Sequence, residues 1–305
     1  LLLPNVLWAP VNVILTLALR GGFSPVALAG TRWTSFAILL GLALAFPPYR
    51  RLMAAVWPTR ADTLRLIAYG FCFFGPAHAI YYFALSKTSS FEGTILGTTS
   101  PLWVTALAFL FLRELPNRLR MAGIAVGTVG AYIVSVGWNS PRLDVGHSLG
   151  NLMYLCAVLL ECIAGILSIG IARRSSGITA LWYQVAGAAV FLCLAPIFAP
   201  SVFPVKFPPL TAPSAVAFGC LAYLILVAGF INFGIWYRLA ERVPISLLAL
   251  TLLLQPPIAA VFGVLVLHEK FSLQVVAGTS LILLGLVIGT LKGKLKNSAE
   301  SSANE

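Results

Sequence analysis

Apolar residues in this chain come in long unbroken runs, separated by short turns rich in Pro, Gly and charge. Ten runs cover residues 1–20, 25–46, 62–84, 90–112, 117–138, 147–172, 178–199, 213–239, 244–267 and 271–291. A helix needs about 20 apolar residues to cross a hydrocarbon core, and every run is that long. The runs are continuous and do not alternate with period two, so they predict helices and not barrel strands. The first run has no small-residue cleavage site before the second and reads as a retained helix. Residues 292–305 are polar and predict a disordered tail.

Composition sharpens this picture. Hydrophobic types make up 59% of the 305 residues and charged types 10%. A soluble domain has about 45–50% and about 25%. A soluble enzyme, a disordered chain and a nucleic-acid-binding module are thereby excluded. The 20 Lys and Arg against 9 Asp and Glu would point to nucleic acid in a soluble chain. In a membrane chain they report orientation. Ten crossings put both termini on one side. Arg20, Lys87, Arg142, Lys206 and Lys270 then fall on the other side, and Arg32 lies within the second run. The remaining 14 of the 20 lie on the side of the termini, which is therefore expected to be cytoplasmic, at the inner membrane. The five cysteines all sit in apolar runs without CxxC spacing, so no disulfide framework, zinc site or cofactor is implied.

The two halves of the chain match each other. SPLWVTALAFLFLRELPNRLRMAGIAVGTVG lines up with QPPIAAVFGVLVLHEKFSLQVVAGTSLILLG. Pro101 meets Pro256, Glu114 meets Glu269, Gly123 meets Gly278 and Gly130 meets Gly285, always 155 positions apart (256 − 101). The first two runs of each half match more weakly. Five crossings per half is an odd number, so the second half enters the membrane from the opposite face. The expected fold is an all-α integral membrane protein of ten transmembrane helices in two inverted five-helix repeats. These span 1–140 and 147–291, followed by the tail 292–305. Many secondary transporters use this arrangement.

The chain resembles the EamA-type members of the drug/metabolite transporter superfamily over nearly its whole length. The resemblance rests on LWAPVNVILTLAL in the first run and SPVALAGTRWTSFAILLGL in the second, with its Arg32–Trp33 pair. It continues in ALSKTSSFEGTILGTTSPLWVTALAFLFLRE and LLALTLLLQPPIAAVFGVLVLHEKFSLQVVAGTSLILLG. The family commonly has Gly-Glu after the fourth and ninth runs. Here Glu114 and Glu269 are kept, while Arg113 and His268 replace the Gly. The resemblance implies export of small metabolites, amino acids or drugs, often driven by exchange or the proton gradient.

A charge at mid-membrane costs at least about 2.5–3.5 kcal/mol on insertion scales, so such residues usually face a cavity or a partner. Arg32, His78 and Glu92 fall in one outer layer by depth counting. Arg32 and Glu92 are expected in a polar vestibule, with snorkelling or a structural ion pair as the alternative. Glu161 is the deepest acid, either a substrate or proton site or a hydrogen-bonded structural group. His78 is a titratable candidate or a helix-packing residue. Pro101, and Pro256 with Pro257, interrupt the fourth and ninth runs. Proline frees backbone carbonyls, which in a bilayer need partners or a watery cavity. Breaks at matching places point to a midplane site lined by Thr98, Thr99, Ser100 and Gln255. A kink filled by neighbouring helices is the alternative.

Trp8, Tyr81, Tyr82, Trp103 and Trp236 are candidate aromatic walls, with Trp8 and Trp103 deepest. Asn12 and Asn232 are further polar candidates or interhelical glue. Gly123 with Gly127, and Gly285 with Gly289, read as packing or dimerisation stripes, which leaves a homodimer open.

The leading functional expectation is a secondary transporter that works by alternating access and exports a small metabolite, amino acid or drug-like compound. Protons or a counter-substrate would drive it, and the lipid bilayer is its surroundings. A channel or non-transporting receptor is the alternative. An intramembrane enzyme finds little support: there is no HExxH and no membrane-embedded Asp pair, and only three His occur. No GxxxxGK[ST] for ATP occurs either.

Overall fold

Proline and capping hydroxyls decide where many of the helices begin. The computed structural model describes residues 2–87, 96–97, 99–113, 118–136, 148–208, 214–258 and 273–290, and among them there is no strand. The first apolar run forms α1 (Leu3–Trp8) and α2 (Val11–Arg20), because Pro10 lacks the N–H that would join them. Ser24 opens α3 (Pro25–Ala45) in extended conformation, its hydroxyl accepting the Ala27 N–H at 3.4 Å. Pro25 takes the first helical position, where a missing N–H costs nothing. The short α4 (Pro47–Leu52) follows.

Thr59 caps α5 (Arg60–Tyr69), which passes through a π-helical turn, Gly70–Phe74, into α6 (Gly75–Leu85). Pro76 supplies the cause: it cannot donate to the carbonyl of Cys72, and the wider turn relieves the clash of its ring. Then come α7 (Ser100–Leu112), α8 (Arg118–Val136), α9 (Ser148–Ala172) and α10 (Gly177–Phe198). A second π-turn, Leu226–Ile231, joins α11 (Ala215–Ile225) to α12 (Asn232–Ala240). The last helices are α13 (Ile245–Leu252) and α14 (Leu273–Thr290).

Among the described residues, six helical stretches are long and apolar enough to cross a bilayer: Leu3–Arg20, Pro25–Ala45, Arg60–Leu85, Leu149–Ala172, Gly177–Phe198 and Ala215–Ala240. Ser100–Leu112, Leu247–Ile258 and Val276–Gly289 are shorter apolar helices. The exterior is apolar, with Ile38, Leu42, Leu110, Val190 and Ile197 all exposed, as a lipid-facing surface requires.

The packing follows a plan. α3 lies along α10, α9 along α6 and α7, α2 along α11, α7 against α13, and α8 against α14. The glycine stripes explain the last contact. A Cβ at Gly123 would strike the carbonyl of Gly285 and lie 2.8 Å from the Gly289 nitrogen. One at Gly130 would lie 2.6 Å from the Gly278 carbonyl. Both stripes are thus used against each other inside the chain, backbone to backbone. The first π-turn docks in the same way: Gly70 faces the Gln184 carbonyl, and Gly187 faces that of Ile67.

Two serines tie the ends of α3 and α10. The Ser24 hydroxyl accepts the Lys206 N–H at 2.9 Å, and the Ser24 N–H donates to the Lys206 carbonyl at 2.9 Å. The Ser176 hydroxyl accepts the Val56 N–H at 3.1 Å and donates to the Val56 carbonyl at 3.2 Å. Each serine at the start of one helix therefore holds the segment that follows the other.

Candidate functional site

A cavity of about 330 Å³ opens between α1, α2, α3, α6, α7, α9, α12 and α13. The α9 wall comes from one helical face: Tyr154, Val158, Glu161, Cys162, Gly165 and Ile169 recur at three- and four-residue spacing. From Tyr154 to Ile169 that face rises about 22 Å, most of a hydrocarbon core. Pro101 and Pro256 line the cavity beside Ser100 and Gln255, because the helices begin or break there and leave room.

Three ionisable groups converge on one side. Arg32 comes from α3 and is 4% exposed. Its Nη1 donates to the Tyr82 hydroxyl at 2.7 Å, and its Cζ lies 4.6 Å from the centre of the Trp33 ring. Its Nε is buried without a hydrogen-bond partner. His78 Nδ1 lies 2.9 Å from the Phe74 carbonyl. A carbonyl only accepts, so Nδ1 carries the hydrogen and Nε2 faces Glu161 Oε1 at 4.0 Å. The Glu161 side chain is 43% accessible although it sits midway along α9, and the space it reaches is the cavity. Among the described residues neither Arg32 nor Glu161 has a carboxylate or guanidinium ion-pair partner.

An aromatic cluster adjoins them, Phe233 lying 5.6 Å from Trp33 between ring centres. Trp8 lies 5.0 Å from Phe233 and 5.2 Å from Trp236 between ring centres, and its indole N–H is spent on the Ala228 carbonyl at 3.2 Å. Asn12 lines the cavity and accepts a hydrogen bond from the Tyr81 hydroxyl. Gln255 Nε2 donates to Asn5 Oδ1 at 3.4 Å.

Several expected site residues lie elsewhere. Tyr82 is fully buried behind Arg32 and does not line the cavity. Trp103, 39% exposed, lies on the outward face of α7 with Leu102, Phe109 and Leu110, turned away from Pro101 and Val104. Asn232 is buried, and its amide donates to the Pro4 carbonyl at 2.9 Å, which makes it a tie between α12 and α1. Thr99 turns its hydroxyl onto the Leu96 carbonyl at 2.7 Å, and Pro257 stays outside the cavity wall. Glu92 and Thr98 lie outside the described residues.

Tyr154 and Cys162 were not singled out by sequence, yet both line the cavity. Tyr154 stands seven residues before Glu161, on the same helical face, and its ring lies 5.1 Å from that of Tyr81. That spacing was the available signal. Among the described residues no group of three or more His, Cys, Asp or Glu is placed to hold a metal.

Known proteins resemble this chain in sequence or in fold. It is 25% identical over 222 residues to the uncharacterized transporter YoaV of Bacillus subtilis (strain 168), covering 69% of this chain and 70% of that one. The uncharacterized transporter YetK of the same organism is 22% identical over 214 residues, 70% of this chain and 63% of its own length. A chloroplastic WAT1-related protein of Arabidopsis thaliana is 24% identical over 208 residues, 67% of this chain and 49% of its own. One solved crystal structure superposes with a TM-score of 0.75 at 16% identity, over 95% of both chains, a likeness of fold. The EamA-like transporter family matches residues 1–136 and again 148–291. With both halves so matched around an apolar helical bundle, this chain belongs to the EamA-like transporter family and is a multi-pass membrane protein.

Proposed function

We propose that the chain is a secondary carrier that exports a small zwitterion with an apolar body by alternating access. The carrying observation is that one cavity is lined by both a charged group of side chains and an aromatic group. Arg32, His78 and Glu161 form the first, and Trp8, Phe233 and Trp236 the second. A guanidinium takes a carboxylate through two parallel N–H bonds, and Glu161 accepts from an ammonium. A buried charge left uncompensated is costly, so a solute that supplies both opposite charges is favoured over one with either alone. Its body then lies on the indole and phenyl faces.

Alternating access rests on the two inverted repeats, ten helices in all, with both termini in the cytoplasm and the chain in the inner membrane. Cavity-lining residues support this by falling in pairs 155 positions apart (256 − 101): Pro101 with Pro256, Ser100 with Gln255, Gly97 with Leu252, His78 with Phe233 and Tyr81 with Trp236. The two π-turns, the mutual packing of α8 with α14, and the reciprocal serine ties support it as well. The positive-inside asymmetry supports the orientation. His78 facing Glu161 offers a place to hold a proton, and exchange against a counter-substrate is the other mode of coupling.

The experiment is flux of radiolabelled phenylalanine in liposomes containing the purified protein. Saturable uptake, accelerated by phenylalanine on the far side and lost in Arg32→Gln and Glu161→Gln, is expected of the carrier. Unitary currents, or flux indifferent to both substitutions, would overturn the reading in favour of a channel or another site.

A further inference from the structure

Two tyrosines hold matching places in the two halves. Tyr82 and Tyr237 lie 155 positions apart (237 − 82), each one residue beyond a cavity-lining aromatic, Tyr81 or Trp236. Each sits in the helix that follows a π-turn. Each hydroxyl meets the eighth residue of a helix opened by a serine: Arg32 in α3 after Ser24, and Gln184 in α10 after Ser176. In the first half Arg32 Nη1 donates to the Tyr82 hydroxyl. In the second the Tyr237 hydroxyl donates to Gln184 Oε1. The same device thus appears twice, once with a cation and once with a neutral amide.

The difference bears on what the cavity selects. Arg32 is nine-tenths buried, yet no carboxylate pairs with it among the described residues. The Tyr82 hydroxyl is its one hydrogen-bond partner there, with the Trp33 face as a second support. A hydroxyl orients a guanidinium without cancelling its charge. A carboxylate in the same place would neutralise Arg32 and compete with any anionic group entering the cavity. Tyr82 is fully buried and off the cavity wall, so it acts on a solute only through Arg32.

We infer that Tyr82 is a positioning residue: it aims Arg32 into the cavity and so sets the carrier's preference for solutes that bear a carboxylate. The inference rests on the charged group proposed above. Gln184 keeps the bond to its tyrosine but carries no charge, so carboxylate selectivity resides in one half alone.

The test is equilibrium binding of phenylalanine and of phenethylamine, which differ by the carboxylate, to the full chain in nanodiscs. The wild type is expected to favour phenylalanine. Tyr82→Phe is expected to cut that preference about ten-fold, the loss of one charge-assisted hydrogen bond, while phenethylamine binds as before. Tyr82→Gln, which restores an acceptor, is expected to recover much of the preference. Tyr223→Phe is the control for a lost hydroxyl, since Tyr223 donates to the Leu7 carbonyl at 2.9 Å and lies off the cavity. The ligand-free Tm of Tyr82→Phe is expected to match that of this control.

A preference kept in Tyr82→Phe but lost in Arg32→Gln would overturn the role of Tyr82 alone. Equal weakening of both ligands with a lowered Tm would do the same, as the mark of a merely structural hydroxyl. A preference kept in Arg32→Gln, or no binding of either ligand, would overturn the charged group and this inference with it.

Discussion

Replacing Gly123 with Ala places one methyl where α8 and α14 touch, and the structure sets the size of the penalty. The new Cβ would strike the Gly285 carbonyl and lie 2.8 Å from the Gly289 nitrogen and 2.9 Å from its Cα. Ordinary contact begins at 3.4 Å, so the helices must part by at least about 0.6 Å, the shortfall against the Gly289 nitrogen, and by more to clear the Gly285 carbonyl. The struck atoms are backbone and cannot rotate aside. A gap of that size forfeits roughly a quarter of each dispersion well along the seam. Overpacking of this kind costs about 1–3 kcal/mol, and backbone against backbone belongs at the upper end. Gly219 provides the opposite case: it is exposed on α11, and an added Cβ there meets nothing within 4 Å. Ala exceeds Gly in helix propensity by roughly 0.5–1 kcal/mol, so Gly219→Ala is expected to be neutral or stabilising. The assay is thermal unfolding in detergent followed by tryptophan fluorescence, with both variants beside the wild type. Equal Tm values for Gly123→Ala and Gly219→Ala would refute the claim that the glycine seam requires glycine.

Other consequences follow from the same geometry. Glu161→Gln keeps the shape of the side chain and removes its ionisation, so any pH dependence of exchange seen in the wild type is expected to flatten. An identical pH profile would eliminate Glu161 as the proton site. Trp236→Ala strips one face from the aromatic group and is expected to weaken phenylalanine about ten-fold while leaving glycine nearly unchanged. Equal effects on the two amino acids in a binding titration would show that Trp236 does not contact the body of the solute. Ser24→Ala removes a helix cap that also anchors a distant segment, and Ser176→Ala removes two hydrogen bonds to the Val56 backbone, so each is expected to lower stability by about 1 kcal/mol. An unaltered unfolding midpoint in either variant would break the equivalence drawn between the two serines.

Position within an apolar run was legible in the sequence, and rotation about each helix was not. Counting residues placed Arg32, His78 and Glu161 within apolar runs, and all three line the cavity. The matching prolines marked Pro101 and Pro256, which line it too. Trp103 fails by rotation: at its depth, lipid and protein interior are both apolar, so α7 has no amphipathic face to announce which side is inward. Leu102, Phe109 and Leu110 show where that outward face lies. Asn232 fails because an amide in an apolar helix serves a neighbouring backbone as readily as a solute, and Pro4 claims it. The first π-turn has a legible cause in Pro76, whereas the second, around Gly229, contains no proline to signal it.

On the proposed repeat, matched positions divide by what they touch. Where helix backbones touch, the two halves keep the same residue: Gly123 and Gly278, Gly130 and Gly285. Of the pairs that line the cavity, Pro101 and Pro256 are alike, while His78 stands against Phe233, Tyr81 against Trp236 and Ser100 against Gln255. Alternating access asks the scaffold to be interchangeable, because each half must adopt the other's conformation. The solute asks the opposite, since a zwitterion has a charged end and an apolar end and a symmetric wall would offer each end the same surface. Arg32 and Gln184 differ as well, each the eighth residue of its helix, although Gln184 lies off the cavity wall. Their tyrosine partners belong to the shared scaffold, and the charge that one has and the other lacks gives the cavity its direction.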